Sequence, residues 1–135
     1  MDHYYHKPEF EIEAERINNG IYPLHQLGRL CTQITDGTHY TPQYVDEAEG
    51  KVKFLSVKDV REAQISFEDV KYISEEEHLI FSKRCNPQPE DILLTKIGTI
   101  GLAAVIPDDA PVFDIFVSVC LIKPKKEIIY IYISL

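Results

Sequence analysis

The sequence predicts a single α+β domain, rich in β structure. Three observations predict it. Short runs of β-branched, aliphatic and aromatic residues recur between Val52 and Ile122, each bounded by Gly, Pro, Asp or Asn. One helix-start signature, Ser74-Glu-Glu-Glu77, stands among them. At 135 residues the chain has the length of one domain and can bury a core without metals or disulfides.

The elements follow in order. Residues 1–21 form an acidic extension in which Glu9-Phe-Glu-Ile-Glu-Ala-Glu15 alternates charged and apolar types, a pattern shared by edge strands and frayed helices. Asn18-Asn-Gly20 closes it with a turn signal. Leu24, Leu27, Leu30, Cys31 and Ile34 have helical spacing and predict a short helix leading into an Asp36-Gly37 turn. Residues 43–51 are polar and acidic and read as an exposed loop, and Val52–Val57 as a strand with Phe54 and Leu55 in the core. Ile65–Phe67 and Val70–Ile73 are short strands. Ser74 caps a helix that runs to about Arg84, with Glu77 reaching back and Pro87 and Pro89 stopping the chain. Asp91–Ile97 and Leu102–Ile106 pair as a hairpin around Gly98-Thr-Ile-Gly101. After a turn at Asp108-Asp109, Val112–Ile122 is a further strand region closed by Pro124. Ile128–Leu135 has strand propensity but is too short to span a membrane.

Composition narrows the function classes. The hydrophobic fraction of 44% is that of a folded protein. No run approaches the ~20 apolar residues of a membrane helix. Met1-Asp-His-Tyr-Tyr-His-Lys7 lacks the apolar run of a signal peptide, so a cytoplasmic location is expected. Cys31, Cys85 and Cys120 are odd in number and far apart, the pattern of free thiols rather than of disulfides or a zinc site. The net charge of −8 runs against nucleic-acid binding. It is uneven, however: residues 1–50 carry −6, residues 51–100 carry −1 and residues 101–135 carry −1. A local basic patch from Lys51, Lys53, Lys58, Arg61 and Lys96 is therefore compatible with the total, and DNA binding by the chain alone is expected to be weak at physiological salt.

Two loops concentrate chemistry. Thr35-Asp-Gly-Thr-His-Tyr-Thr-Pro42 sets hydroxyls, an imidazole and a phenol on one short segment. Thr38, His39, Tyr40 and Thr41 suit phosphate or base-edge contacts; a self-satisfied turn is the competing reading. Lys96 to Gly101 places a cation and the Thr99 hydroxyl beside two glycines; an ordinary hairpin explains the same residues, and a P-loop is excluded by the spacing. Lys58 and Arg61 follow a strand end, where Arg61 suits a bidentate contact to guanine and a solvated charged loop is the plainer account. Glu75–Glu77 read as helix-start residues, not catalytic ones. Asp36 with Glu49-Gly-Lys51 imitates the Asp…Glu-x-Lys set of metal-dependent nucleases, but one member sits in a turn and the others in a polar loop.

Taken with Phe54-Leu-Ser-Val-Lys-Asp-Val60, Tyr72-Ile-Ser-Glu-Glu-Glu-His78, Lys83-Arg84-Cys85, Asp91-Ile-Leu-Leu-Thr-Lys-Ile-Gly-Thr-Ile-Gly-Leu-Ala-Ala-Val-Ile106 and Ile122-Lys-Pro124, the Thr35–Pro42 loop resembles the target recognition domain of type I restriction-modification specificity subunits. The order and spacing match one such domain from about Tyr22 to the C-terminus. The resemblance implies a compact twisted sheet with short helices carrying recognition loops, and a single DNA target recognition domain over 22–127. It implies a non-catalytic protein without cofactor or metal, which reads one half of a split site in double-stranded DNA. The associated subunits would be a DNA methyltransferase using S-adenosylmethionine and an ATP-dependent restriction subunit. Expected DNA contacts are Thr38, His39, Tyr40, Thr41, Lys58, Arg61, Lys96 and Thr99. The resemblance also implies that a connecting helix starts at 128–135. Family members join two such domains by long helices, whereas this sequence has one domain and no heptad spacer, as in a truncated remnant or half of a split subunit. Packing of the apolar end against a second copy would give a homodimer. The competing expectation is a protein-interaction module that keeps the fold without binding DNA.

Overall fold

A computed structural model describes residues 26–47 and 52–127. The chain passes through a 3-10 turn, Leu27–Arg29, and enters strand β1, Cys31–Asp36. Over Leu27–Ile34, the described part of the helix expected from Leu24 to Ile34, the chain instead forms a single turn and a strand. The reason is tertiary. β1 pairs antiparallel with the C-terminal strand β9, Val119–Pro124, from Cys31 opposite Pro124 to Asp36 opposite Cys120. Leu27 and Ile34, two of the residues that suggested an apolar helix face, remain exposed.

Beyond Val45, which bridges to Tyr72, β2 spans Val52–Leu55. Its side chains serve two cores. Val52 and Phe54 join Ile73 and Phe81 on one face, packed by Phe116, while Leu55 enters the larger cluster with Val60, Leu93, Phe113, Ile115, Val119 and Leu121. Alternation of side chains across a strand makes this division possible. Each fully buried Leu or Ile of these clusters contributes about 1.5–3 kcal/mol.

A second 3-10 turn, Val57–Asp59, follows β2. Here the sequence hid a complete capping box: Ser56 and Asp59 satisfy each other's backbone N–H, Asp59 Oδ2 accepting from Ser56 N at 2.9 Å. The hairpin β3 (Val60–Arg61) and β4 (Gln64–Ile65) leads to β5, Lys71–Ile73. An α-helix, α1, covers Glu75–Phe81. Its cap is half of what the sequence suggested. Ser74 Oγ accepts from Glu77 N at 3.2 Å, but Glu77 Oε1 accepts from Gln43 N at 3.4 Å instead of turning back. The helix stops at Phe81, three residues short of Arg84.

The remaining strands are β6 (Ile92–Thr95), β7 (Ala103–Val105), β8 (Phe113–Ile115) and β9. The expected hairpin at Gly98–Gly101 is present, and both glycines have positive φ, 84° and 88°. The expected strand region over Val112–Ile122 is present as two strands, broken at Phe116–Ser118. The break lets the chain change sheets. β9 lies in an antiparallel sheet of order β1-β9-β6-β7, and β8 in a mixed sheet of order β5-β2-β8. The result is the β-rich α+β architecture that the pattern predicts. The acidic extension at 1–21 and the connecting helix expected at 128–135 lie outside the described residues.

Candidate nucleic-acid interface

The turn Phe116–Ser118 gathers three loops that are distant in sequence. Val117 N donates to Thr38 O at 2.9 Å, Lys96 N donates to Ser118 O at 3.0 Å, and Val57 N donates to Ser118 Oγ at 3.2 Å. Gly98 also faces Val57. The loops at 36–41, 57–59 and 96–99 therefore share one support.

Gly37 holds this arrangement together, and not through a positive φ. A Cβ at Gly37 would lie 2.1 Å from Ile115 O and 2.4 Å from Phe116 O. Glycine is needed because the backbone of β8 passes against it. Thr38 N donates to Ile115 O at 3.0 Å across that contact.

Asp36 sits at the centre of the polar cluster. Lys96 Nζ lies 2.8 Å from Asp36 Oδ2, His39 Nε2 lies 3.1 Å from the same oxygen, and Arg84 Nη1 lies 3.2 Å from Asp36 Oδ1. The Lys96 hydrogen bond, with a smaller contribution from His39, holds Asp36 well below the usual carboxylate range, against the opposing effect of burial. Arg84 is fixed further: Nη1 donates to Thr35 Oγ1 and Nη2 to Gly37 O, both at 2.8 Å. Two cationic side chains thus surround one carboxylate, with an imidazole beside them. The local charge is positive in a chain of net charge −8. A cluster of fixed guanidinium and ammonium donors suits an anionic oxygen such as that of a phosphate.

The expected contact residues are not equivalent. Tyr40 is 56% exposed, and its ring packs edge-on against Phe81 at 5.5 Å. His39 and Lys96, both on Asp36, are exposed, as are Thr41 and Thr99 further along the same two loops. Thr38 is buried, with its hydroxyl 3.4 Å from Tyr40 O, so it supports the loop from beneath. Lys58 is committed locally: its Nζ donates to buried Asp59 Oδ1 at 2.8 Å and to Asp69 O at 3.0 Å. Arg61 is exposed on the β3–β4 hairpin, outside the Asp36 cluster. Arg84 is the principal residue absent from the expected contacts. Its only sequence signal was the Lys83-Arg84-Cys85 segment, which reads as the basic end of a helix.

A cavity of about 260 Å³ opens beside the cluster, with Thr38, His39, Tyr40, Ile80, Arg84 and Cys85 among its lining residues. Asp114 and Phe81 also line it. Asp114 is buried to 1% exposure, and its Oδ2 lies 2.6 Å from His78 Nδ1 on α1. Its Oδ1 has no hydrogen-bond partner among the described residues. Burial pushes the Asp114 carboxyl up to about 6, while the His78 hydrogen bond draws it back down. Burial also pushes the Cys85 thiol up to about 12, which rules out a reactive thiolate there.

The nuclease-like set does not assemble around Asp36 within the described residues. Both Asp36 oxygens face cationic donors, and Glu49 and Lys51 lie outside those residues. Among the described residues no three His, Cys, Asp or Glu side chains converge as a metal site. No helix among them is long and apolar enough to cross a membrane. A scan against protein-family models finds no match, and a search of curated proteins finds none either.

Proposed function

We propose that this domain reads a half-site in double-stranded DNA, in the manner of one half of a type I restriction-modification specificity subunit. The observation that supports it most directly is the convergence of three separate loops on Phe116–Ser118, with Lys96, Arg84 and His39 grouped there around Asp36. In this reading Lys96 and Arg84 anchor phosphates, the exposed Tyr40, Thr41 and Thr99 add hydrogen bonds, and Arg61 reads a base edge from the neighbouring hairpin. The domain does no chemistry itself. It positions DNA, in the cytoplasm, for methyltransferase and restriction subunits that carry the catalytic groups.

The test is titration of a randomised duplex pool by fluorescence anisotropy at low and near-physiological salt, with sequencing of the bound fraction. Salt-sensitive binding with an enriched short motif is the expected result. Absence of binding at low salt, with the partner subunits also supplied, would overturn the reading.

A second reading has its own support. Lys58 is already paired with Asp59, and Asp36 already occupies the cations that DNA would need. A broad groove on the protein is lined by Asp46, Glu47, Glu68 and Asp69 against only Lys53 and Lys71. These features suit an interaction module that keeps the fold and binds a protein partner. Retention of a partner subunit without any DNA binding would decide for it.

A further inference from the structure

The cavity beside the Asp36 cluster is not needed by backbone and phosphate anchoring, and its chemistry is specific. Its most buried polar lining group is Asp114, at 1% exposure. His78 occupies Asp114 Oδ2, and Oδ1 has no donor among the described residues. A buried acceptor without a partner carries a desolvation penalty that an N–H would relieve once a small side-chain shift uncovers the oxygen, which is sealed in this structure. Apolar side chains line the same cavity: Ile115, Phe81 and the exposed Ile80. Two aromatic rings, Tyr40 and Phe81, meet edge to face at the same place. The volume of about 260 Å³ is just under the ~300 Å³ at which pockets begin to hold drug-sized molecules, so it suits one heterocycle rather than a whole nucleotide.

The charged lining decides the class of ligand. Thr38, His39, Tyr40 and Arg84 belong both to the cavity and to the loops of the proposed DNA face. The Arg84 guanidinium in that lining opposes a cationic amine and favours a neutral N–H donor attached to an anionic backbone. We propose that this cavity receives a single unpaired nucleobase bearing an exocyclic amine, cytosine or adenine, with the amine donating to Asp114 Oδ1 and the ring between Ile80, Phe81 and Ile115. The choice of a nucleobase among neutral aromatic amines rests on the DNA reading; the acceptor and the apolar walls do not. Removing a base from the stack costs least where it is unpaired or mismatched, so the cavity would favour single-stranded or mismatched sites near the face.

The experiment uses the full chain and free nucleosides, which separates the cavity from duplex binding. Cytidine and uridine differ at one position, an amine in place of a carbonyl. Amide resonances of Thr38, Phe81, Cys85 and Ile115 are followed by two-dimensional NMR during titration with each. The expected result is saturable shifts with cytidine and at least about tenfold weaker binding of uridine, because a carbonyl cannot donate to Asp114. Ile80→Trp, at an exposed helix position that leaves the His78–Asp114 pair alone, is expected to abolish the cytidine shifts. Asp114→Asn, if folded, is expected to erase the cytidine preference. Equal binding of the two nucleosides, shifts elsewhere on the surface, no shifts up to the solubility limit, or unchanged binding by the Ile80→Trp variant would each overturn the proposal. Nucleoside binding without duplex binding would sink the half-site reading and leave the cavity standing; the converse result would do the opposite.

Discussion

Lys96 Nζ and Asp36 Oδ2, sixty positions apart, meet at 2.8 Å and join the β6–β7 hairpin to the end of β1. The pair does more than link two loops. Asp36 holds Lys96, Arg84 and His39 close together, as a phosphate oxygen would. It therefore organises a cationic cluster while competing for it.

Removing that resident anion separates the two effects. Asp36→Asn is expected to tighten DNA binding by roughly two- to fivefold at low salt, the scale of a screened surface ion pair. Anisotropy titrations across a salt series check this. Weaker binding by the variant would mean that Asp36 is needed to position the cations rather than that it competes with DNA.

Lys96 and Arg61 should fail differently. Lys96→Ala is expected to weaken binding to all sequences alike and to lower the salt slope by about one unit. Arg61→Ala is expected to relax preference at one base position with its slope nearly unchanged, if its guanidinium reads a base edge. Sequencing of bound pools for the two variants distinguishes them, and an unchanged slope for Lys96→Ala removes it from the phosphate contacts.

Gly37 and Gly101 test two different reasons for a glycine. Gly37→Ala places a methyl 2.1 Å from Ile115 O, so β1 and β8 must move apart. A loss of about 1–3 kcal/mol or more is expected. Gly101→Ala meets nothing within 4 Å, and its φ of 88° alone should cost about 1–2 kcal/mol. Urea denaturation gives both values. Only Gly37→Ala should also disturb DNA binding, because Thr38 and the loop beyond it hang on that contact.

Asp114 makes a prediction about pH. Its folded carboxyl titrates at about 6, above the ordinary 3.8, so between those values the native state holds the proton more firmly than the unfolded chain does. The stabilisation from that proton is full below about pH 4 and is lost as pH rises towards 6. Asp36, shifted the other way, contributes stability above its ordinary range and loses it only in stronger acid. Thermal melts from pH 4 to 7 should therefore show wild type losing stability relative to Asp114→Asn as pH rises. A difference that stays flat with pH would mean that Asp114 is not held up by burial.

Ser74 could be read as a helix cap because capping chemistry acts within four residues, and the structure bears it out. Glu77 could not be followed, because its carboxylate answers to Gln43, thirty-four positions away. The β6–β7 hairpin was legible from its two glycines, and the core roles of Phe54 and Leu55 from strand patterning. The stretch before Asp36 misled, since its apolar spacing fits a helix until pairing with β9 supplies backbone partners that a local pattern does not contain. Asp36, His39 and Lys96 were visible as polar loop residues. That they share one carboxylate was not.

By itself the sequence determined the class of fold, the helix start at Ser74, the hairpin at Gly98–Gly101 and the identity of most side chains around the candidate interface. These depend on interactions between near neighbours, which periodicity and turn chemistry record. Tertiary structure alone decided that Phe116–Ser118 would break a strand and support three loops. It also bent Arg84 back to Gly37 and Asp36, and left one oxygen of Asp114 without a partner among the described residues. Those outcomes depend on strands and loops tens of residues apart closing on one another. The resulting distances and burial, rather than residue type, set the charge of the face and the chemistry of its cavity.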